Sequence, residues 1–164
     1  AGETQDVLNQ IIATIQQTYD GRNLQVLVAS RDTLPGGCVA STVLLGGLNP
    51  DAYGLSEQID LYDADLCDNA VIFTDMFTPR QFGNRILSAT QLGTAIGNVV
   101  AHEVGHLLGL NHVSNVKDLM DTTGGADTFL LDQVFTSSAL HSTIFPIGYQ
   151  DGWQLLMETL KAQP

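Results

Sequence analysis

Three of the chain's four histidines, His102, His106 and His112, fall within the eleven-residue stretch "HEVGHLLGLNH". A neutral imidazole nitrogen is a common ligand for transition metals. On a helix, residues four apart stack one turn above each other, so His102 and His106 project from one face and present two nitrogens to one ion. Glu103 lies one step round the helix, where its carboxylate reaches a metal-held water without displacing a ligand. Gly109 is the residue type that ends a helix in the left-handed conformation. A turn there swings the backbone round and returns His112 toward the first two. Three nitrogens with an open fourth position form the arrangement of catalytic zinc, whereas closed structural sites use four protein ligands. A lone His-Glu-x-x-His also suits an ordinary amphipathic helix. With the glycine and third histidine in register, a chance match is expected on the order of once in 10⁵ chains of this size.

One helix must carry the first two histidines. Ser88 and Gln91 make a capping box, which predicts a helix over about residues 89–108, with Leu92, Ile96, Val99, Val100 and Leu107 on its apolar side. Gly93 and Gly97, four apart, would let it pack closely. Ahead of it, residues 4–19 place Val7, Leu8, Ile11, Ile12, Ile15 and Tyr19 at helical spacing, and the strands expected next cover 24–30, 41–47, 54–62 and 69–75. Beyond residue 112 the chain reads as irregular until a last helix over 151–161. This order predicts an α+β fold: a mixed twisted sheet, a long active-site helix and a C-terminal helix. No repeat, charge block or Pro/Gly-rich linker divides the chain. Residues 1–164 therefore read as a single domain, long enough to bury a core.

Composition narrows the partners. Eighteen acidic side chains against six basic ones give a net charge of −12, which excludes a basic nucleic-acid-binding face. An apolar content of 44% with 15% charged residues excludes a disordered chain. No apolar segment reaches the roughly 18–20 residues needed to span a bilayer, so no membrane partner is expected. The chain opens on polar residues with no visible leader. A disulfide between Cys38 and Cys67 would close a loop of about 30 residues and contribute about 3–4 kcal/mol; two buried free thiols are the alternative. The disulfide reading points to a secreted, extracellular or periplasmic protein. His141 lies outside the motif and reads as a surface or capping histidine.

"HEVGHLLGLNH" and the "KDLMD" that follows resemble the metzincin clan of zinc endopeptidases, closest to the matrixin (matrix metalloproteinase-like) branch. The likeness is literal over residues 102–120. It implies a zincin fold with zinc held by His102, His106 and His112, and Met120 in a tight turn beneath the metal, the Met-turn. It implies Glu103 as general base, accepting a proton from a metal-activated water and passing it to the departing amine. A peptide or protein substrate would pair with an edge strand; "GLSEQ", with Gly54, Leu55 and Ser56, is the expected segment, an ordinary hairpin being the alternative. "TTGGADTFLL" would line the pocket for the residue after the cut, with Phe129 and Leu130 as apolar candidates. Thr122 stands where some branches carry a tyrosine. The family usually begins with a strand before its first helix; none is expected here, so either that strand lies ahead of residue 1 or the domain is a reduced version, and no cysteine-switch propeptide motif is read in the chain. Matrixins also bind calcium in a loop comparable to the one carrying Asp60, Asp63, Asp65 and Asp68; a solvated acidic loop is the alternative. The expectation is a monomeric zinc-dependent endopeptidase. The alternatives are a catalytically silent metal-containing binding module of the same fold, or a zinc hydrolase of non-peptide amides.

Overall fold

The computed structural model describes residues 2–143 and 148–161. In chain order the elements are α1 (Gly2–Thr18), β1 (Thr42–Leu45), β2 (Gly54–Ser56), β3 (Asn69–Ile72), α2 (Ala89–Leu107), β4 (Ser137–Ala139), β5 (Tyr149–Asp151) and α3 (Gly152–Lys161). Short 3-10 turns cover Thr74–Met76, Pro79–Phe82 and Ala126–Leu130. The fold is α+β with mixed pairing, as expected. β3 is central, with β1 parallel on one side and β2 antiparallel on the other, and β4 and β5 form a separate antiparallel pair.

α1 turns Ile11 and Ile15 inward onto α2 and ends with buried Tyr19, whose hydroxyl donates to the Ala101 carbonyl at 2.8 Å. The two helices meet where α2 carries glycine. A Cβ on Gly93 would stand 2.5 Å from Gln10 Cβ, and one on Gly97 would stand 2.7 Å from Thr14 Cβ. α2 starts at the expected cap: Gln91 N–H donates to Ser88 Oγ at 3.2 Å, and Ser88 N–H to Gln91 Oε1 at 3.1 Å. Its other side lies on the sheet. Alternation along β3 buries Ala70 and Ile72. β2 pairs Gly54 with Ile72 and Ser56 with Ala70, and cross-strand partners share a face. Gly54 and Ser56 therefore face α2, while Leu55 points out and is 58% exposed.

Three expectations are corrected. Residues 24–30 form no strand; Val28 O instead accepts from Arg31 N and Asp32 N, and Val28 N–H donates to the Asp32 carboxylate. Strand propensity yields a strand only where a neighbour supplies a ladder, and here the backbone bonds locally. The strands expected over 41–47, 54–62 and 69–75 are confined to four, three and four residues. The stretch after residue 112 is more ordered than its composition suggested, since it contributes β4 and β5. Among the described residues, no helix is long and apolar enough to cross a membrane.

Candidate metal centre

α2 delivers His102 and His106 from one face, and the chain then reverses. Gly109 adopts φ +94°, in the left-handed region natural to glycine, and Leu110 N–H closes back onto Gly105 O at 2.8 Å. Val113 N–H donates to Met120 O at 3.0 Å. His112 is thereby brought over the helix end. His112 Nε2 lies 2.9 Å from His106 Nε2 and 3.1 Å from His102 Nε2. Among the described residues, this trio is the group of histidine, cysteine or carboxylate side chains gathered closely enough for one ion, with its ligand atoms within 4.8 Å of one another.

The opposite ring nitrogens fix the tautomers. His102 Nδ1–H donates to Leu119 O and His106 Nδ1–H to Leu110 O, each at 2.7 Å. Both Nε2 atoms therefore turn lone pairs into the shared space. Such carbonyl partners orient metal-ligating histidines. Burial favours the neutral rings and lowers the pKa of His102, His106 and His112 to about 4. Converging lone pairs repel each other unless a cation lies between them, so the donor set fits a zinc ion held by three imidazoles.

Glu103 is 6% exposed. Burial pushes its pKa up to about 7, against the pull of hydrogen bonds from the Ser56 backbone and side chain. Met120 is fully buried and packs against α2 at Gly105, where a Cβ would stand 2.6 Å from its sulfur. Leu119, just before it, supplies the carbonyl that orients His102. Asp118 sets this turn: its carboxylate accepts from Met120 N–H at 2.9 Å, from Thr136 N–H at 2.8 Å and from the Thr136 hydroxyl. The sequence did not single out Asp118, although an Asp bonding the amide two residues on is a known turn device.

The remaining candidates are scattered around this centre. Gly54, Leu55 and Ser56 form β2, beside Glu103. Phe129 and Leu130 lie on the 3-10 turn Ala126–Leu130; the Phe129 ring packs edge-on to Tyr53, 4.9 Å between centroids, and also meets Phe77. Buried Asn98, one turn before His102 on α2, pins this segment by donating to Phe129 O at 2.8 Å and Leu131 O at 3.0 Å. No sequence signal marked that role, because its acceptors are backbone carbonyls. His141 donates its backbone N–H to His112 O at 2.9 Å, and its Nδ1 meets the Thr143 hydroxyl at 2.7 Å.

Cys38 and Cys67 are joined in a disulfide. The acidic loop that follows β2 docks against the end of α2, with Asp60 N–H on His106 O at 2.9 Å. Its carboxylates do not gather as the histidines do. Asp60 Oδ2 accepts from Asp65 N–H and Asp65 Oδ1 from Cys67 N–H, both as turn caps. Burial pushes Asp63 up to about 6 and Asp68 upward, toward their uncharged acids. The structure gives the calcium expectation at Asp60, Asp63, Asp65 and Asp68 no support.

The family model described as Matrixin matches residues 41–133. No curated protein and no solved structure matches the chain. The matched span covers more than half of the sequence and contains β1 to β3, all of α2, the three histidines, Glu103 and Met120, so the chain belongs to the matrixin family.

Proposed function

We propose that the chain is a zinc-dependent endopeptidase, with His102, His106 and His112 as the metal ligands and Glu103 as general base. The observation that carries this reading is the convergence of three neutral Nε2 atoms, within 4.8 Å of one another, beside a buried carboxylate. Bound zinc supplies Lewis-acid polarisation of the reacting oxygen. Glu103 accepts a proton from the attacking water at its carboxylate and delivers it to the nitrogen of the departing amine. Its burial supports that role, because a carboxylate held near neutrality exchanges protons readily in both directions. The peptide lies extended along β2 as an added strand, and the segment carrying Phe129 and Leu130 walls the pocket beyond the cut. Met120 serves as the Met-turn residue, packing the floor that carries Leu119. Residues 1–164 act as one catalytic domain and as a monomer. The disulfide fits work in an oxidising compartment outside the cell.

Cleavage of a fluorogenic peptide library by the zinc-loaded protein, with and without a chelator, tests this reading. Glu103→Ala is expected to retain stoichiometric zinc and to lose about 10²–10⁴-fold in kcat. Parental cleavage by that variant contradicts the assignment. Zinc binding without any peptide cleavage by the parent favours the silent binding module, and turnover confined to non-peptide amides favours the third alternative.

A further inference from the structure

Strand β2 does more than border the cleft. Its register places the side chains at 54 and 56 toward α2 and sends Leu55 outward. A Cβ on Gly54 would stand 2.6 Å from Glu103 Oε1 and 2.7 Å from Glu103 Cγ. The carboxylate therefore lies directly against the strand, and a side chain at position 54 would have to displace it. Two residues on, Ser56 lies on the same face of the strand, and its hydroxyl and backbone N–H favour the charged form of Glu103.

We propose that Gly54 and Ser56 clamp the general base: the bare α-carbon of Gly54 makes room for the Glu103 carboxylate, and Ser56 is a positioning residue that fixes its rotamer. A glutamate side chain has three torsions, and a catalytic group must be held to within about 0.5 Å of its productive position. Burial alone does not select among rotamers of similar volume. A hydroxyl and an amide beside the carboxylate can, because each hydrogen bond they make has a preferred direction. The clamp rests on the endopeptidase reading for its kinetic consequence, and it gives Ser56 a role on the base rather than on the substrate. In a chain where the strand residue at 56 lacked a hydroxyl, the backbone amide would be left to hold the carboxylate alone.

The test uses the whole zinc-loaded chain and one fluorogenic peptide that the parent cleaves. Ser56→Ala is expected to lower kcat about tenfold, equivalent to about 1.4 kcal/mol of barrier, with KM and zinc content unchanged. Ser56→Thr keeps the hydroxyl and is expected to restore most of the loss. Gly54→Ala pushes a methyl into Glu103 and should lower kcat at least as far. Infrared difference spectra of metal-free protein labelled with ¹³C-glutamate give a readout independent of turnover. The Glu103 band, identified by its disappearance in Glu103→Gln, should move in Ser56→Ala and return in Ser56→Thr. A Ser56→Ala protein with parental kcat and an unmoved Glu103 band overturns the clamp and leaves the endopeptidase reading standing. A rise in KM with kcat unchanged also overturns it, since Ser56 would then be contacting substrate. If the parent itself cleaves nothing, the endopeptidase reading fails, and the infrared band alone decides whether Ser56 holds the carboxylate.

Discussion

His102 and His106 each commit one ring nitrogen to a backbone carbonyl, at Leu119 and Leu110, and this leaves the other nitrogen for a shared ion. The same burial that lowers the three histidine pKa values to about 4 decides how acid affects the site. An exposed histidine picks up a proton near pH 6.5, so a flexible three-histidine peptide begins to lose metal there. In the folded chain, protons compete with the ion only as the pH nears about 4. Zinc affinity, measured by competition with an indicator chelator, is therefore expected to stay nearly constant down to a pH well below 6.5. A peptide spanning residues 98–113 should lose affinity at higher pH; parallel curves for peptide and protein contradict the account. The linkage to folding of the metal-free chain has the same sign. Depressed histidine values contribute stability that is present above pH 6.5 and lost as the pH falls through about 4. Glu103 acts oppositely: its raised value contributes stability that is present below 4.5 and lost as the pH rises through about 7.

At the scale of elements, helix α2 is legible almost to the residue. Ser88 and Gln91 cap it and Gly109 ends it by local rules that need no tertiary partner. The sheet is less legible, because a strand exists only by virtue of its neighbour. Residues 24–30 have the apolar composition of a strand but lack a ladder, and "SSA" of β4 lacks the alternation that would have marked it, pairing only once β5 arrives. At the candidate site the ligand spacing was legible, whereas the supports were not. Asn98 and Asp118 act on the backbone of distant segments, which leaves no local pattern. The glycines of α2 yield a prediction at this scale. Gly→Ala in a helix interior ordinarily stabilises by about 0.5–1 kcal/mol. At Gly93 the new methyl would meet Gln10 Cβ at 2.5 Å and the Val7 carbonyl oxygen at 2.8 Å, and overpacking of that kind costs about 1–3 kcal/mol. Gly93→Ala is therefore expected to lower stability in urea denaturation; a gain would mean that α1 yields freely and does not press on α2.

Across the whole molecule, the disulfide ties together the two segments that enter neighbouring parallel strands: Cys38 precedes β1, Cys67 precedes β3, and Thr42 N–H already bonds Asp68 O at 3.0 Å. Exchanging Cys38 and Cys67 together for alanine is expected to cost about 3–4 kcal/mol by the loop-entropy relation, read as a lower denaturation midpoint. An unchanged midpoint would mean that the β1–β3 pairing and the packing on α2 already restrain that loop in the unfolded chain. The candidate metal centre lies on the other connection, from α2 through Gly109 to Met120, and everything proposed for function depends on it. Zinc-edge X-ray absorption of the stoichiometrically loaded protein tests that centre most directly. The account predicts one zinc per chain with three imidazole nitrogens and one light-atom ligand from solvent, all at about 2.0–2.1 Å. Substoichiometric zinc, a sulfur neighbour, or a shell that keeps three nitrogens when His112 is replaced by alanine would contradict it.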